Sequence, residues 1–271
     1  MTARLRLLLL SLLIGGVSLL PFLWFVLTSF KAPAEITAIP PRLIPSFDWS
    51  AYSSAISKYG LLNYMKNSAL VAIATTALAL VVAAPASYAL VRFRLPWGRA
   101  CLMLFLAVSM FPQIAIAGPV WQILNALELL NTFSGLIAVY VALSLPLAVW
   151  ILATFFNELP LEIEEAAQVD GFSRRQILTR VVLPMAAPGL FTAAILIFIH
   201  AWNEFFFALL IMTNPDRQTL PVGIALFPGE YTMPWGEIAA ASTMATLPLI
   251  ALTLLFQRRI VRGLAAGAVK G

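Results

Sequence analysis

The chain has 271 residues, of which 61% are hydrophobic and only 11% charged. Soluble domains run at about 45–50% apolar and about 25% charged. Seventeen Lys and Arg with 12 Asp and Glu cannot clothe a soluble body of this size, so apolar surface must face lipid. Disorder is excluded by the same composition, because disordered segments are poor in apolar residues and rich in charge. Cys101 is the lone cysteine and His200 the lone histidine, which excludes an internal disulfide and leaves too few ligands for a His/Cys metal site.

In chain order, charge-free windows run Leu7–Phe30, Asn67–Val91, Ala100–Leu127, Leu129–Asn157, Val181–Asn203 and Ile238–Gln257. A helix of about 20 residues crosses a hydrocarbon core of about 30 Å. Six transmembrane helices are therefore predicted, at roughly 7–29, 67–91, 100–120, 135–156, 188–212 and 240–258. Continuous apolar runs are unlike the alternating strands of a barrel. The first run is longer than the apolar stretch of a cleavable signal and lacks a clear small-residue cleavage site, so a retained helix is expected. Prolines 21, 85, 112, 146 and 248 fall inside predicted spans. They either kink helices around a path that opens and closes, or reflect the general tolerance of membrane helices for proline.

Lys and Arg distribution sets the orientation. The segments sharing a side with the N-terminus hold Arg4, Arg6, Arg92, Arg94, Arg99, Arg174, Arg175, Arg180, Arg258, Arg259, Arg262 and Lys270. The opposite side holds Lys31, Arg42, Lys58, Lys66 and Arg217. Both termini are thus expected in the cytoplasm. The net charge of +5 becomes a topology signal, and no basic run or basic face speaks for nucleic acid.

The loop over 31–66 is the longest outside connection, rich in Pro, Ser and aromatics. Trp121, Leu124 and Leu127 lie about one turn apart, which predicts a short amphipathic helix at the outer surface. Asn214-Pro215-Asp216 and Pro228-Gly229 read as turns.

The inner segment Glu158–Pro184 is denser in signals. Pro160 suits a first helical position, and Glu162, Glu164 and Glu165 complement the helix dipole near its start. Gly171 permits the left-handed turn that ends a helix. Ser173 with Gln176 forms a capping box for a second helix, and Pro184 is expected to help end it. Helix, glycine turn and helix together predict a shaped, rigid knob. Arg174 and Arg175 sit at the unfavourable end of the dipole, so local helix energetics do not explain them.

Glu165-Ala166-Ala167, then Gly171, then Val181 and Leu183-Pro184, resembles the EAA loop of bacterial ABC importer permeases, with Val181 where the family pattern has Ile. Six spans with this loop inside, between the fourth and fifth, match as well. Trp202-Asn203-Glu204-Phe205 looks like the W-N-E/D motif of carbohydrate-importer permeases. The tail from Gln257 to Gly271 is similar to that of the maltose- and trehalose-type second permease.

The resemblance implies an all-α polytopic protein with the type I ABC importer permease fold, multi-pass in a bacterial inner membrane. It implies a single permease domain over 1–271, with a coupling loop at 158–184 and a cytoplasmic tail at 258–271. The partners implied are a homologous permease, two ATPase subunits that bind ATP and Mg, and an external sugar-binding protein. A trehalose- or maltose-like disaccharide is the solute favoured. Glycerol phosphate esters and sugar alcohols share the scaffold. No lysine of this chain sits in a phosphate-binding loop, so it is expected to hold no nucleotide, cofactor or catalytic centre.

Glu165, Ala166, Ala167, Asp170, Gly171, Leu183 and Pro184 carry over as the ATPase-coupling set. The helix around Leu161–Val169 would seat in the ATPase, the two alanines allowing close approach and Glu165 pairing with a basic group. His200, Asn203 and Glu204 share one helix face by spacing, and charge deep in a membrane helix is costly at its lipid surface. That face, with Trp202 available for stacking, either lines the solute path or locks the bundle through an interhelical hydrogen bond. A polytopic enzyme or channel is the rival class, but it leaves the helix–glycine–helix loop without a purpose.

Overall fold

A computed structural model describes residues 3–93, 96–228 and 233–268; the side chains of 3, 4, 6, 7, 99 and 258–268 lie outside the description. All regular structure among the described residues is helical. Four helices are long and apolar enough to cross a membrane, and six spans result if each of two bent helix pairs counts as one. By internal contacts the chain divides into two compact units, Met1–Met65 with Val222–Ile250, and Lys66–Pro221 with Ala251–Gly271.

In the first unit, α1 (Ala3–Ser29) is apolar all round, and its most apolar window is unburied. Such a helix needs lipid or another subunit to cover it. After it come two short helices, α2 (Pro33–Ile36) and α3 (Ser50–Ser57). The loop between them is organised by Glu35, whose carboxylate accepts from the Ala32 amide (3.2 Å), the Ser46 amide (3.1 Å) and the Arg42 guanidinium (3.2 Å). Those hydrogen bonds, Ser46's first among them, hold the Glu35 carboxyl below the usual carboxylate range. Phe30 packs on Trp49 and Tyr52, and buried Lys31 places its ammonium 4.1 Å from the Trp24 ring centroid. The long loop over 31–66 is therefore a built structure.

In the second unit the centre is α7 (Phe133–Glu158), which packs on α5 (Gly98–Ser109) and α11 (Ala187–Asn203). Its Leu136, Tyr140, Ser144, Ala148, Leu152 and Phe156 recur at helical spacing and are buried. α4 (Leu61–Arg92) contributes small residues to the same core: Ala79 and Ala83 join the cluster that holds Ala148 and Val149, and the Ser87 hydroxyl donates to the Val149 carbonyl at 3.2 Å. Without a hydrophobic driving force in lipid, small residues gain from close backbone approach. Gly189 of α11 shows this most sharply, because a Cβ there would collide with the Phe155 ring.

Two predicted spans are not single helices. The expected helix over 100–120 breaks at Met110–Pro112, and α6 (Gln113–Ala126) leaves at 93° to the preceding helix. Pro112 lies at this break and caps the start of α6 in extended conformation. The amphipathic turn expected near Trp121 belongs to this helix, with Leu124 buried and Trp121 and Leu127 exposed. The expected helix over 188–212 ends at Asn203, and α12 (Phe206–Ile211) restarts it after an extended Glu204. Of the five prolines, 21, 85, 146 and 248 do lie inside helices.

Past α12, Asn214 caps the predicted turn as a 3₁₀ segment, Pro215–Arg217, ahead of α13 (Leu220–Ala225). Asn67 holds this stretch by donating to the Asp216 and Gln218 carbonyls. The last helix runs Trp235–Ala268; the expected tail contacts over 258–271 and the turn at Gly229 fall outside the described side chains and residues.

Candidate functional site

The connection over 158–184 folds as helix, glycine turn and helix. α8 (Leu161–Val169) follows Pro160, which caps it from one position before the expected one. At its end the Gly171 amide donates to the Gln168 carbonyl and the Phe172 amide to the Ala167 carbonyl, both at 3.0 Å. This Schellman pattern requires a left-handed residue, and Gly171 supplies it at φ +81°. Ser173 and Gln176 form the expected reciprocal capping box at the start of α9 (Arg174–Ile177). Pro184 does not stop the second helix. A π-helical turn, Leu178–Val182, and α10 (Leu183–Met185) carry it on, and the chain bends by 79° at Ala186.

The EAA triplet is split between two environments. Glu165 and Ala166 are exposed, whereas Ala167 is buried in the core with Ile177 and Val182. Asp170, Gly171 and Pro184 are exposed and Leu183 is half-buried. The free face of the knob therefore carries Glu165, Ala166, Asp170 and Gly171.

Residues outside the predicted coupling set anchor the knob. Glu164 is buried, and its carboxylate accepts from the Tyr88 hydroxyl (2.7 Å) and from Arg92 Nε (2.7 Å). Arg92 Nη2 also donates to the Leu159 carbonyl at 3.0 Å. Arg174 lines a polar cleft of about 630 Å³ together with Arg92 and Glu164. The signal available was a lone Arg ending an apolar helix and an acid next to the EAA triplet.

The predicted face of His200, Asn203 and Glu204 is divided by the helix end. His200 and Asn203 stay exposed on α11. His200 lines a cavity of about 500 Å³ with Gln113, Ser109 and Ser144, whose buried hydroxyl has no hydrogen-bond partner. Glu204 turns inward. Its carboxylate accepts from the Tyr140 hydroxyl and from the Phe207 (2.8 Å) and Ala208 (3.1 Å) amides. It thereby satisfies the first amides of α12 while α7 holds it in place. Trp202 is buried and stacked on Phe198, so in this conformation it offers no open ring face to a solute. No three His, Cys, Asp or Glu residues converge as a metal site among the described residues.

An all-helical, multi-spanning body with a capped helix–turn–helix knob matches the architecture of an ABC importer permease. Residues 76–266 match the family of binding-protein-dependent transport system inner membrane components, and the chain belongs to that family. It is 42% identical over 261 residues to the sulfoquinovosyl glycerol transport system permease protein of Agrobacterium fabrum, covering 96% of this chain and 91% of that one. It is 39% identical over 279 residues to the trehalose/maltose transport system permease protein of Thermococcus litoralis, covering 99% and 97%. A solved bacterial ABC transporter involved in importing the acidic polysaccharide alginate shares the fold at a TM-score of 0.79 and 22% identity, covering 94% of this chain and 96% of that one. The protein is accordingly a multi-pass permease subunit of the inner membrane.

Proposed function

We propose that this chain, with a homologous permease, forms the translocation path of an ATP-driven importer for a small glycoside. A trehalose- or maltose-like disaccharide is the favoured solute. Two ATPase subunits would bind ATP and Mg and drive it, and an external sugar-binding protein would load it. The permease would adopt the six-span type I arrangement with both termini cytoplasmic, as the distribution of Lys and Arg favours. The observation that carries the coupling assignment is the knob, whose exposed Glu165–Ala166 face is held by a rigid helix with a capped glycine turn. Ala166 leaves room for a partner groove, Glu165 and Asp170 offer charge to a basic contact, and Gly171 returns the chain without strain. Leu183 and Pro184 transmit the movement into the fifth span, and the tail over 258–271 is a second contact.

His200 and Asn203 are the path-lining candidates, with the unsatisfied Ser144 hydroxyl supplying a further polar group to the same wall. Glu204 and Trp202 serve the path indirectly, by fixing the helix break beside it. The similarity to a sulfoquinovosyl glycerol permease favours a second solute reading, an anionic glycoside. Uptake by the reconstituted four-component system decides between them. The first reading expects ATP-dependent uptake of a neutral disaccharide that an excess of sulfonated glycoside does not inhibit. Uptake of the sulfonated glycoside alone would move the assignment to the second.

A further inference from the structure

The buried pair of Arg92 and Glu164 lies outside the EAA pattern, and it links elements that are distant in sequence. Arg92 is the last residue of α4, and Glu164 lies in the first turn of α8. Each charge complements the dipole at its own helix end. The Arg92 guanidinium also bonds the Leu159 carbonyl, at the cap of α7. One side chain thus ties together the ends of α4, α7 and α8. Tyr88, one turn earlier in α4, grips the second oxygen of the same carboxylate. Two attachments a turn apart resist rotation as well as translation.

The side chains of Arg92 and Glu164 retain only 6% and 4% of their exposure. An ion pair this buried is a poor device for adding stability, because desolvation offsets the attraction. It is a good device for fixing geometry, since neither charge tolerates separation. By chain connectivity alone, α8 would push on α7 through Leu159–Pro160 and on α11 through α9 and α10. The second span has no covalent route to the knob.

We infer that the Arg92–Glu164–Tyr88 cluster is a positioning clamp that transmits motion of the coupling helix into the second span, Leu61–Arg92. This rests on α8 being the ATPase-coupling element. The side chains of Arg92, Glu164 and Tyr88 are buried, whereas Glu165 and Ala166 form the exposed face. Their loss leaves the docking face of Glu165 and Ala166 intact while the knob slips against α4.

The test uses the complete complex in proteoliposomes and reads solute transported per ATP hydrolysed, with ATPase co-purification as the assembly control. Arg92→Met is expected to lower that ratio about fivefold and Tyr88→Phe about twofold, with ATPase subunits still bound. A clamp that matters only for folding would alter yield or assembly and leave the ratio at the wild-type value, which overturns the inference. Should Arg92→Met fail to assemble, Tyr88→Phe decides, because it keeps the ion pair and strands no charge. Glu165→Lys runs in parallel. If it uncouples while Arg92→Met and Tyr88→Phe keep the wild-type ratio, the clamp alone is refuted. If Glu165→Lys also transports normally, the coupling role of α8 falls and the clamp with it.

Discussion

At the scale of single residues, the chemistry concentrates where a polar group replaces what the backbone lacks. Gly171 sits at a left-handed φ of +81°. A β-branched residue there pays roughly 1–2 kcal/mol for the same turn. Gly171→Val is expected to lower solute-stimulated ATPase activity and uptake together while membrane insertion stays normal, as uptake assays and membrane immunoblots would show. Glu204 substitutes its carboxylate for the carbonyls that α12 lacks at its start. Glu204→Gln removes the charge-assisted part of that bonding, worth about 1–2 kcal/mol. It should lower the thermal midpoint of the purified permease pair without changing the solute concentration for half-maximal uptake. His200→Ala should do the reverse, and a shift of that concentration in the Glu204 variant alone would exchange the two roles.

Much of the knob is legible in sequence because its signals are local. Ser173, Gln176, Gly171 and the acidic first turn of α8 each act on neighbours within five residues. The Arg92–Glu164 pair spans 72 positions, and no periodicity or cap reports a contact of that separation. The division of the EAA triplet was hidden for the same reason: burial of Ala167 depends on Ile177 and Val182 returning over it.

Elements show where propensity was overridden. Averaged over a span, 100–120 and 188–212 stay apolar, so length alone reads one helix in each. Pro112 starts a helix at 93° to the one before it, and the other ends at Asn203-Glu204, a polar step too short to break an apolar window. Capping remains a separable quantity at this scale. Ser173→Ala removes the oxygen that accepts from the Gln176 amide and should cost about 1 kcal/mol, seen as faster hydrogen exchange at Arg175 and Gln176. In the loop over 31–66, Glu35 gathers two amides and Arg42 around one carboxylate. Its lowered pKa means the folded loop holds fewer protons than the unfolded one as pH falls. The stabilisation is therefore complete above the ordinary carboxylate range and is lost as acid reaches the lowered value. Exchange of the Ser46 amide should stay slow near neutral pH and accelerate in strong acid. Glu35→Gln should remove that pH dependence.

For the whole molecule, the central claim is mechanical. In the proposed mechanism, a rigid knob with an exposed Glu165–Ala166 face receives force from a separate ATPase and passes it to the spans. The lone native thiol, Cys101, can be removed as Cys101→Ser, which makes a reporter at Ala166 unambiguous. The decisive measurement is labelling of Ala166→Cys by a charged, membrane-impermeant maleimide in inside-out vesicles, with and without the ATPase subunits bound. The account predicts rapid labelling of the permease pair alone and strong protection once the ATPases assemble. Labelling that proceeds equally fast in the assembled complex would contradict it.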